Sequence, residues 1–416
     1  MKKIKIEGGH PLHGKIVVSG AKNSAVALLP AAILCNGIVT IDNVPKISDI
    51  DAIKEILTYL GAKIECEKDK ITIDSRTIQN RAIPESLAKK LRASYYFMGA
   101  LLGKFRKTEM SFPGGCSIGA RPIDLHLKGF ENLGATVSSN ENQYLVETPK
   151  LMGADLYVRH SVGATVNLLL SSVFAEETTT IHDAAKEPEI TNVVELLQNM
   201  GANIRGKGTD TLIIDGVTKL HSASISVIPD RIEAGTYVIA GVLCGNQLEI
   251  TNIIPEHLNS LIEILQKMEA DITILKNSII VSKKENLLPA NIKTEVYPGF
   301  PTDLQQPMTT LLTTVSGSST LEETIYENRF KHVSYLNQMG ASITIQDKKL
   351  TIAAPTELIG REVVATDLRA GASLVLAGLT AMGETSITEV EHILRGYENI
   401  IEKLKNVGAK IKLEEI

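Results

Sequence analysis

The sequence predicts an α/β protein of six pseudo-repeats of about 70 residues, each of βαβαββ type, set three and three in two lobes with a double hinge between them. Three observations carry this. A phrase recurs six times: "LTYLGAKIEC", "FENLGATVSS", "LQNMGANIRG", "LQKMEADITI", "LNQMGASITI" and "LKNVGAKIKL". Its glycines fall at 61, 134, 201, 340 and 408, with Glu269 in the remaining copy, so the spacings are 73, 67, 68, 71 and 68. Self-similarity at one period marks a repeat architecture. Each phrase also ends an apolar-periodic helix at a residue placed for a left-handed C-cap, then alternates as a strand does. Ahead of each phrase lies a small-residue-rich helix followed by a β-branched strand, as in "AVALLPAAILCNGIVTIDNV".

In chain order, "KKIKIEG" is a strand with no place in the first repeat. The first repeat then runs helix, strand, helix and the hairpin "KIECEKDKITID". The second departs from the pattern: a plain strand elsewhere is here "FPGGCSIGARPIDLHLKGF". The third ends through Gly201, the fourth carries "AGTYVIAGVLCGNQLEITNI", and the fifth ends in the hairpin "SITIQDKKLTIA". The sixth, with "ASLVLAGLTAMGETSITEV", stops at "GAKIKLEEI", which has room for one hairpin strand only. The N-terminal strand is expected to supply the other. That closure puts one lobe at 22–229 and the other at 1–21 plus 230–416, with crossovers near Ser19 to Lys22 and Pro229 to Arg231. A cleft between such lobes is a favoured ligand site.

The composition, 44% hydrophobic and 22% charged, is that of an ordinary globular protein. With 43 basic against 48 acidic side chains and a formal charge of −5, there is no global case for nucleic acid or an anionic membrane, so any anion site must be local. "MKKIKIEGGHPLHGK" has a basic start but no apolar run behind it, and "AVALLPAAILC" is too short to span a bilayer and contains Pro30. A cytoplasmic location is expected. The absence of tryptophan and only 4% aromatic residues argue mildly for a monomer.

Four cysteines, at 35, 66, 116 and 244, show no metal or disulfide spacing. Cys35 and Cys244 end the same repeat helix and read as packed small hydrophobes, while Cys66 adjoins the polar turn of a hairpin. Cys116 alone lies among glycines, in the loop 112–121. Gly114, Gly115 and Gly119 permit close backbone approach, and Arg121, with Arg92 further off, favours thiolate over thiol. These residues leave a reactive and an inert reading of Cys116 equally open.

Lys22, Arg92, Arg121, Arg231, Arg329, Arg369 and Arg395 fall mostly at strand-to-helix corners, where free N–H groups and helix dipoles add positive potential. Any one of them is an ordinary solvated charge, but their recurrence in both halves suits a small, multiply charged anion. Asp303, in "YPGFPTDLQQP", is placed either to cap the following helix or to accept a proton from a substrate hydroxyl. GxGxxG and Walker A motifs are absent.

"SGAKNSA", "LRAS", "PGGCSIGARPIDLH", "SVGAT", "EPEI", "PDRIEAGT", "FPTDLQ", "ENRF", "TDLRAGAS" and "RGYE" resemble, in order and over the full length, the motifs of the enolpyruvyl transferases that act on UDP-N-acetylglucosamine. The resemblance implies two inside-out α/β lobes with helices buried centrally and sheets outside. It implies transfer from phosphoenolpyruvate to UDP-N-acetylglucosamine with release of phosphate, and neither metal nor organic cofactor. Residue by residue, Lys22 and Asn23 resemble the phosphoenolpyruvate contacts, with Arg121 and Arg395 completing an anion clamp. Arg92 and the run Arg121, Pro122, Ile123, Asp124 and Leu125 resemble the nucleotide-sugar positions, and Ser161 and Val162 those for the diphosphate. Asp303 and Ile325 match positions that hold the sugar, and Arg329 and Arg369 fall in the C-terminal basic set.

The implied catalytic residues are therefore Cys116, Asp303, Lys22 and Arg395, with Cys116 the proton donor, a site of covalent adducts and the target of fosfomycin. Some family members carry Asp at that position; Cys here implies fosfomycin sensitivity. Two rivals are weaker. Enolpyruvylshikimate-phosphate synthase shares donor and chemistry, but its "GNAGT" segment is not found, and a DNA-clamp ring of six units needs a basic inner face.

Overall fold

In a computed structural model, which describes residues 2–113 and 123–415, all six helix ends marked by the recurring phrase turn through the left-handed region. At Gly61, with φ 101°, the Gly61 N–H donates to Thr58 C=O at 2.9 Å and the Ala62 N–H to Leu57 C=O at 2.9 Å. This crossed pair is the Schellman motif, which satisfies carbonyls left over at a helix end. Glu269 makes the same pair, to Gln266 and, through Ala270, to Leu265, at φ 60°. The motif therefore survives the loss of its glycine, at the strain an L side chain meets there.

The contacts divide the chain into two units, here taken over the described residues. One is formed by residues 20–113 and 123–228. Its central helices are α1 (Lys22–Ala31), α2 (Tyr96–Phe105) and α3 (Val162–Ser172). All but the first residues of α1 and α3, and all but the end of α2, are buried, so these helices are apolar nearly all round and sit at the core. Small residues let them close up: a Cβ on Gly99 of α2 would lie 2.2 Å from the Asn167 carbonyl of α3. The second helix of each repeat is one-sided. In Pro188–Asn199, Ile190, Val193, Val194 and Leu197 face inward.

Each repeat's sheet runs hairpin strand, hairpin strand, middle strand, opening strand. In the third repeat the parallel opening strand is Asp155–Tyr157, beside Thr178–His182. The first repeat borrows its opening strand from the far end of the unit: Ala223–Ser226 pairs parallel with Ile38–Asp42 from Ala223↔Val39 to Ser226↔Asp42. The second repeat's sheet has three strands, because its opening segment gives one bridge, Ile83↔Met110, before Pro84 removes the next N–H.

The other unit is formed by residues 2–19 and 229–415. Its helices α4 (Arg231–Cys244), α5 (Gln305–Leu312) and α6 (Leu368–Thr380) pack against one another, and every residue of α5 is buried. The expected closure is present. Lys2–Glu7 lies antiparallel between Glu384–Thr388 and Lys410–Glu415, with Ile4 opposite both Ile387 and Leu413. Ile4 and Ile6 are fully buried there, so the apolar face of the strand specifies its register. Leu12–Val17 then opens the fourth repeat, parallel to Gly245–Thr251. In both units helices lie centrally with sheets around them, the inside-out arrangement expected. No helix among the described residues is long and apolar enough to cross a membrane.

Candidate active site

In the unit of residues 2–19 and 229–415, Asp303 occupies a single 3-10 turn, Thr302–Leu304, just before α5. It does not cap the helix; no side chain does. Its two carboxylate oxygens instead take one guanidinium each. Arg329 Nη2 donates to Oδ1 at 2.6 Å and Arg369 Nη2 to Oδ2 at 3.2 Å. The arginine side chains are 4% and 5% exposed and that of Asp303 is 26% exposed, so the carboxylate is open to a ligand while its holders are not.

Arg329 is itself oriented. Its Nη1 donates to Thr302 Oγ1 at 2.7 Å, and Thr302 passes its own proton to Glu323 Oε2 at 2.7 Å. The other oxygen of the buried Glu323 accepts from the Ile325 amide at 2.8 Å and the Tyr326 amide at 3.2 Å. Ile325 is thereby tied to the Asp303 set through Glu323, Thr302 and Arg329. Burial works against the charge of Arg369, but Tyr397, Asp303 and Asp230 outweigh it and raise its pKa further. Arg395 departs from the expected corner position: it follows the short helix Glu391–Leu394, at its C-terminal end.

In the unit of residues 20–113 and 123–228, Lys22 is the first residue of α1, with Nζ 2.9 Å from Asp49 Oδ2; these side chains are 14% and 9% exposed. Asp49 lies in the first turn of Ser48–Tyr59, where the helix dipole favours an anion. Asn23 follows Lys22, and Ser24 Oγ donates to Asn192 Oδ1 at 2.5 Å, fixing the first turn of α1 against Pro188–Asn199.

Arg92 opens the 3-10 turn Arg92–Tyr95, and Asp124 and Leu125 open the helix Asp124–Asn132, after a buried Ile123. Ser161 caps α3, its Oγ accepting from Ala164 N at 3.3 Å, and Val162 is the first helical residue. Arg159 and His160, at φ 50° and 57°, turn the chain into that cap. Cys116, Arg121 and Pro122 lie outside the described residues.

Sequence reasoning passed over His126, Asn167 and Tyr95. Asn167, fully buried in α3, accepts from Gly99 N at 2.7 Å and donates through Nδ2 to Tyr95 O at 2.9 Å and His126 Nδ1 at 2.8 Å. Because Gly99 offers a donor, the amide can face only this way, so His126 Nδ1 accepts and the ring proton sits on Nε2. Burial, then the charge of Arg92, lower the His126 pKa to about 4 against the pull of Asp124, so the ring is neutral. A Cβ on Gly163 would lie 3.2 Å from His126 Nε2 and 2.8 Å from Tyr95 Oη, so this N–H adjoins the first turn of α3. The available signal was one asparagine inside the apolar run "ATVNLLLSS".

A second unforeseen cluster joins Glu233, Lys403 and Ser19. Lys403 Nζ lies 2.6 Å from Glu233 Oε1 and donates to Ser19 Oγ at 2.6 Å, while Ser19 N donates to Glu233 Oε2 at 2.7 Å. Burial raises the Glu233 pKa to about 7, with Lys403 opposing.

Among solved structures, the enolpyruvyl transferase NikO from Streptomyces tendae matches 99% of this chain and 98% of its own at a TM-score of 0.91 and 25% identity. The EPSP synthase from Acinetobacter baumannii matches over the full length of both chains at 0.77 and 17%. The fold, with its carboxylate held between buried arginines, is that of an enolpyruvyl transferase. The family model of EPSP synthase (3-phosphoshikimate 1-carboxyvinyltransferase) matches residues 6–404, and the chain belongs to this family. Relatives named UDP-N-acetylglucosamine 1-carboxyvinyltransferase are similar throughout. One from Streptococcus pneumoniae is 50% identical over all of both chains. One from Bacillus subtilis is 48% identical over all of this chain and 97% of its own.

Proposed function

We propose that this enzyme transfers the enolpyruvyl group of phosphoenolpyruvate to the 3-hydroxyl of UDP-N-acetylglucosamine and releases phosphate, opening peptidoglycan precursor synthesis in the cytoplasm. The observation that carries the reading is Asp303, a partly exposed carboxylate with one buried guanidinium on each oxygen. Such a group can accept a proton from a hydroxyl while the arginines keep it ionised and aimed. Identity of 48–50% with relatives named for this activity supports the choice of acceptor.

In the mechanism that follows, Asp303 takes or orients the proton of the 3-hydroxyl, whose oxygen bonds to C2 of phosphoenolpyruvate. Cys116 gives a proton to C3, forming a tetrahedral phospholactoyl intermediate. Lys22, Arg121 and Arg395 bind the donor's negative charge, with Asn23 beside Lys22. The C2–O bond to phosphate then breaks as a proton leaves the methyl group, and atoms balance. Arg92, with Pro122, Ile123, Asp124 and Leu125, holds the nucleotide. Ser161 and Val162 offer the α3 N-terminus to the diphosphate, where N–H groups and the helix dipole favour an anion. Ile325, Arg329 and Arg369 set the sugar against Asp303.

The family model's own description keeps shikimate 3-phosphate as the rival acceptor. Phosphate release from phosphoenolpyruvate is therefore measured with each acceptor alone. Release that answers to UDP-N-acetylglucosamine is expected, and release with shikimate 3-phosphate only would replace this reading. Fosfomycin with UDP-N-acetylglucosamine present should add one inhibitor mass at the peptide containing Cys116. An unmodified Cys116 in a turning-over enzyme would remove its proposed reactivity.

A further inference from the structure

We propose that the buried carboxylate of Glu323, with the Thr302 hydroxyl beside it, positions two parts of the acceptor site at once: the Arg329 guanidinium that holds Asp303, and the main chain at Ile325. This builds on the reading of Asp303 as the group that meets the acceptor hydroxyl and of Ile325 as its neighbour on the sugar.

Glu323 directly follows the strand Gly317–Glu322 and is 1% exposed. Four donors converge on it: Oε1 accepts from the Ile325 amide at 2.8 Å, the Tyr326 amide at 3.2 Å and Thr294 Oγ1 at 3.0 Å, and Oε2 accepts from Thr302 Oγ1 at 2.7 Å. The direction of each bond is fixed. An amide N–H can only donate. The Thr294 oxygen takes the Thr324 N–H at 2.9 Å and the Thr302 oxygen takes Arg329 Nη1 at 2.7 Å, so each hydroxyl keeps its own proton for Glu323. Both carboxylate oxygens are thus engaged as acceptors by separate stretches of chain, at Thr294, Thr302 and Ile325–Tyr326.

The Oε2 arm steadies Arg329. Arg329 Nε is buried without a hydrogen-bond partner among the described residues, so the guanidinium is gripped at its Nη ends: Nη2 on Asp303 Oδ1 at 2.6 Å and Nη1 on Thr302. A guanidinium is planar and its donors form a rigid fork, so fixing Nη1 sets the direction in which Nη2 meets Asp303. Thr302 is fixed in turn by giving its proton to Glu323. The Oε1 arm holds the amides of Ile325 and Tyr326, and the Tyr326 ring centroid lies 5.0 Å from the Arg329 guanidinium carbon. One buried carboxylate therefore ties the group that takes a proton to the segment that meets the sugar, while Arg369 holds the other Asp303 oxygen separately.

The two arms separate by mutation. Thr302→Val keeps the shape of the side chain and removes the hydroxyl, cutting the Oε2 arm and leaving the bonds of Oε1 in place. Its kcat is expected to fall about threefold to tenfold, the equivalent of one net hydrogen bond, with KM for UDP-N-acetylglucosamine within about twofold. Rotation of the Arg329 guanidinium about its Cζ–Nε bond, read by nitrogen-15 NMR of the Nη pair without substrate, is expected to quicken about fivefold. Thr302→Ser keeps the hydroxyl and drops the methyl group, so it should recover most of both losses. A packing role would give the reverse order, with Ser worse than Val.

Glu323→Gln keeps one acceptor oxygen, which the donors on the Oε1 side claim, and its nitrogen then faces Thr302, whose proton loses its acceptor. It should behave as Thr302→Val does, and the two combined should be no worse than Glu323→Gln alone. Glu323→Ala frees both arms and should raise KM for UDP-N-acetylglucosamine about fivefold besides lowering kcat. If that variant does not fold, the Thr302 pair decides by itself. Unchanged guanidinium rotation in Thr302→Val, or a Ser variant slower than the Val variant, would overturn the proposal. A wild-type enzyme that forms no enolpyruvyl ether would overturn the functional reading instead, and the substrate-free rotation would still decide the roles of Thr302 and Glu323.

Discussion

Arg329 Nη2 stands 2.6 Å from Asp303 Oδ1, a contact between a guanidinium 4% exposed and a carboxylate 26% exposed. The asymmetry matters. A buried cation cannot swing away to water, so the carboxylate is held at one edge while staying accessible at the other.

Asp303→Asn preserves shape and removes the charge. We expect kcat to fall by about 10² to 10⁴, the range for losing a general base, with UDP-N-acetylglucosamine binding by calorimetry changed much less. Two buried arginines lose their counter-charge, so urea unfolding should also show a loss of about 1–3 kcal/mol. That is less than for a fully buried pair because the carboxylate meets solvent. Wild-type kcat in this variant would end the role assigned to Asp303.

Asn167 fixes the tautomer of His126, and Asn167→Leu tests it. All three bonds of the amide go at once, leaving the Gly99 N–H and Tyr95 C=O without that partner. A loss of about 2–4 kcal/mol is expected on denaturant unfolding. In the wild-type protein, long-range proton–nitrogen NMR should find His126 neutral with its proton on Nε2. A spectrum with the proton on Nδ1 would contradict the network.

How much of this was legible beforehand depends on the range of the interaction. The helix ends at Gly61 and Glu269 were readable because a Schellman cap is local, confined to six residues. The closing strand Lys2–Glu7 was found by counting, since the sixth repeat lacked a hairpin partner. The pairing of Ala223–Ser226 with Ile38–Asp42 was not, because nothing in either segment names a partner so far along the chain. Asp303 and its arginines were singled out, but not their mutual contacts, which span 26 and 66 residues. Arg395, in "ILRGYE", ends the short helix Glu391–Leu394 and is one of the basic residues away from a strand-to-helix corner.

Glu269 offers a gain of stability. Glycine at φ 60° escapes the clash between Cβ and the carbonyl but adds freedom to the unfolded chain. The exposed contact to Lys284, at 3.4 Å, contributes little. Glu269→Gly should therefore stabilise by about 0.5–1 kcal/mol in urea unfolding, with activity unchanged. An unaltered or lower midpoint would mean that the backbone here bears no strain.

Two buried histidines should make the protein acid-sensitive well above the carboxylate range. Burial lowers His126 to about 4 and His332 to about 3, from an ordinary value near 6.5. The unfolded chain therefore binds a proton that the folded chain refuses. The contribution of each ring is complete above about pH 6.5 and is lost as pH falls toward the folded value. Between pH 7 and pH 5 each costs about 2 kcal/mol. Glu233, raised to about 7, works the other way, since its folded form takes up a proton over this window before the unfolded chain does. From these three groups together a net loss of about 1–2 kcal/mol is expected between pH 7 and pH 5 in urea titrations. His332 is fully buried and neither ring nitrogen has a protein partner, so leucine is a tolerable replacement. In His332→Leu the loss between pH 7 and 5 should shrink by about 2 kcal/mol. A variant that loses as much as the wild-type protein would show that His332 takes up its proton in the folded state as readily as in the unfolded one.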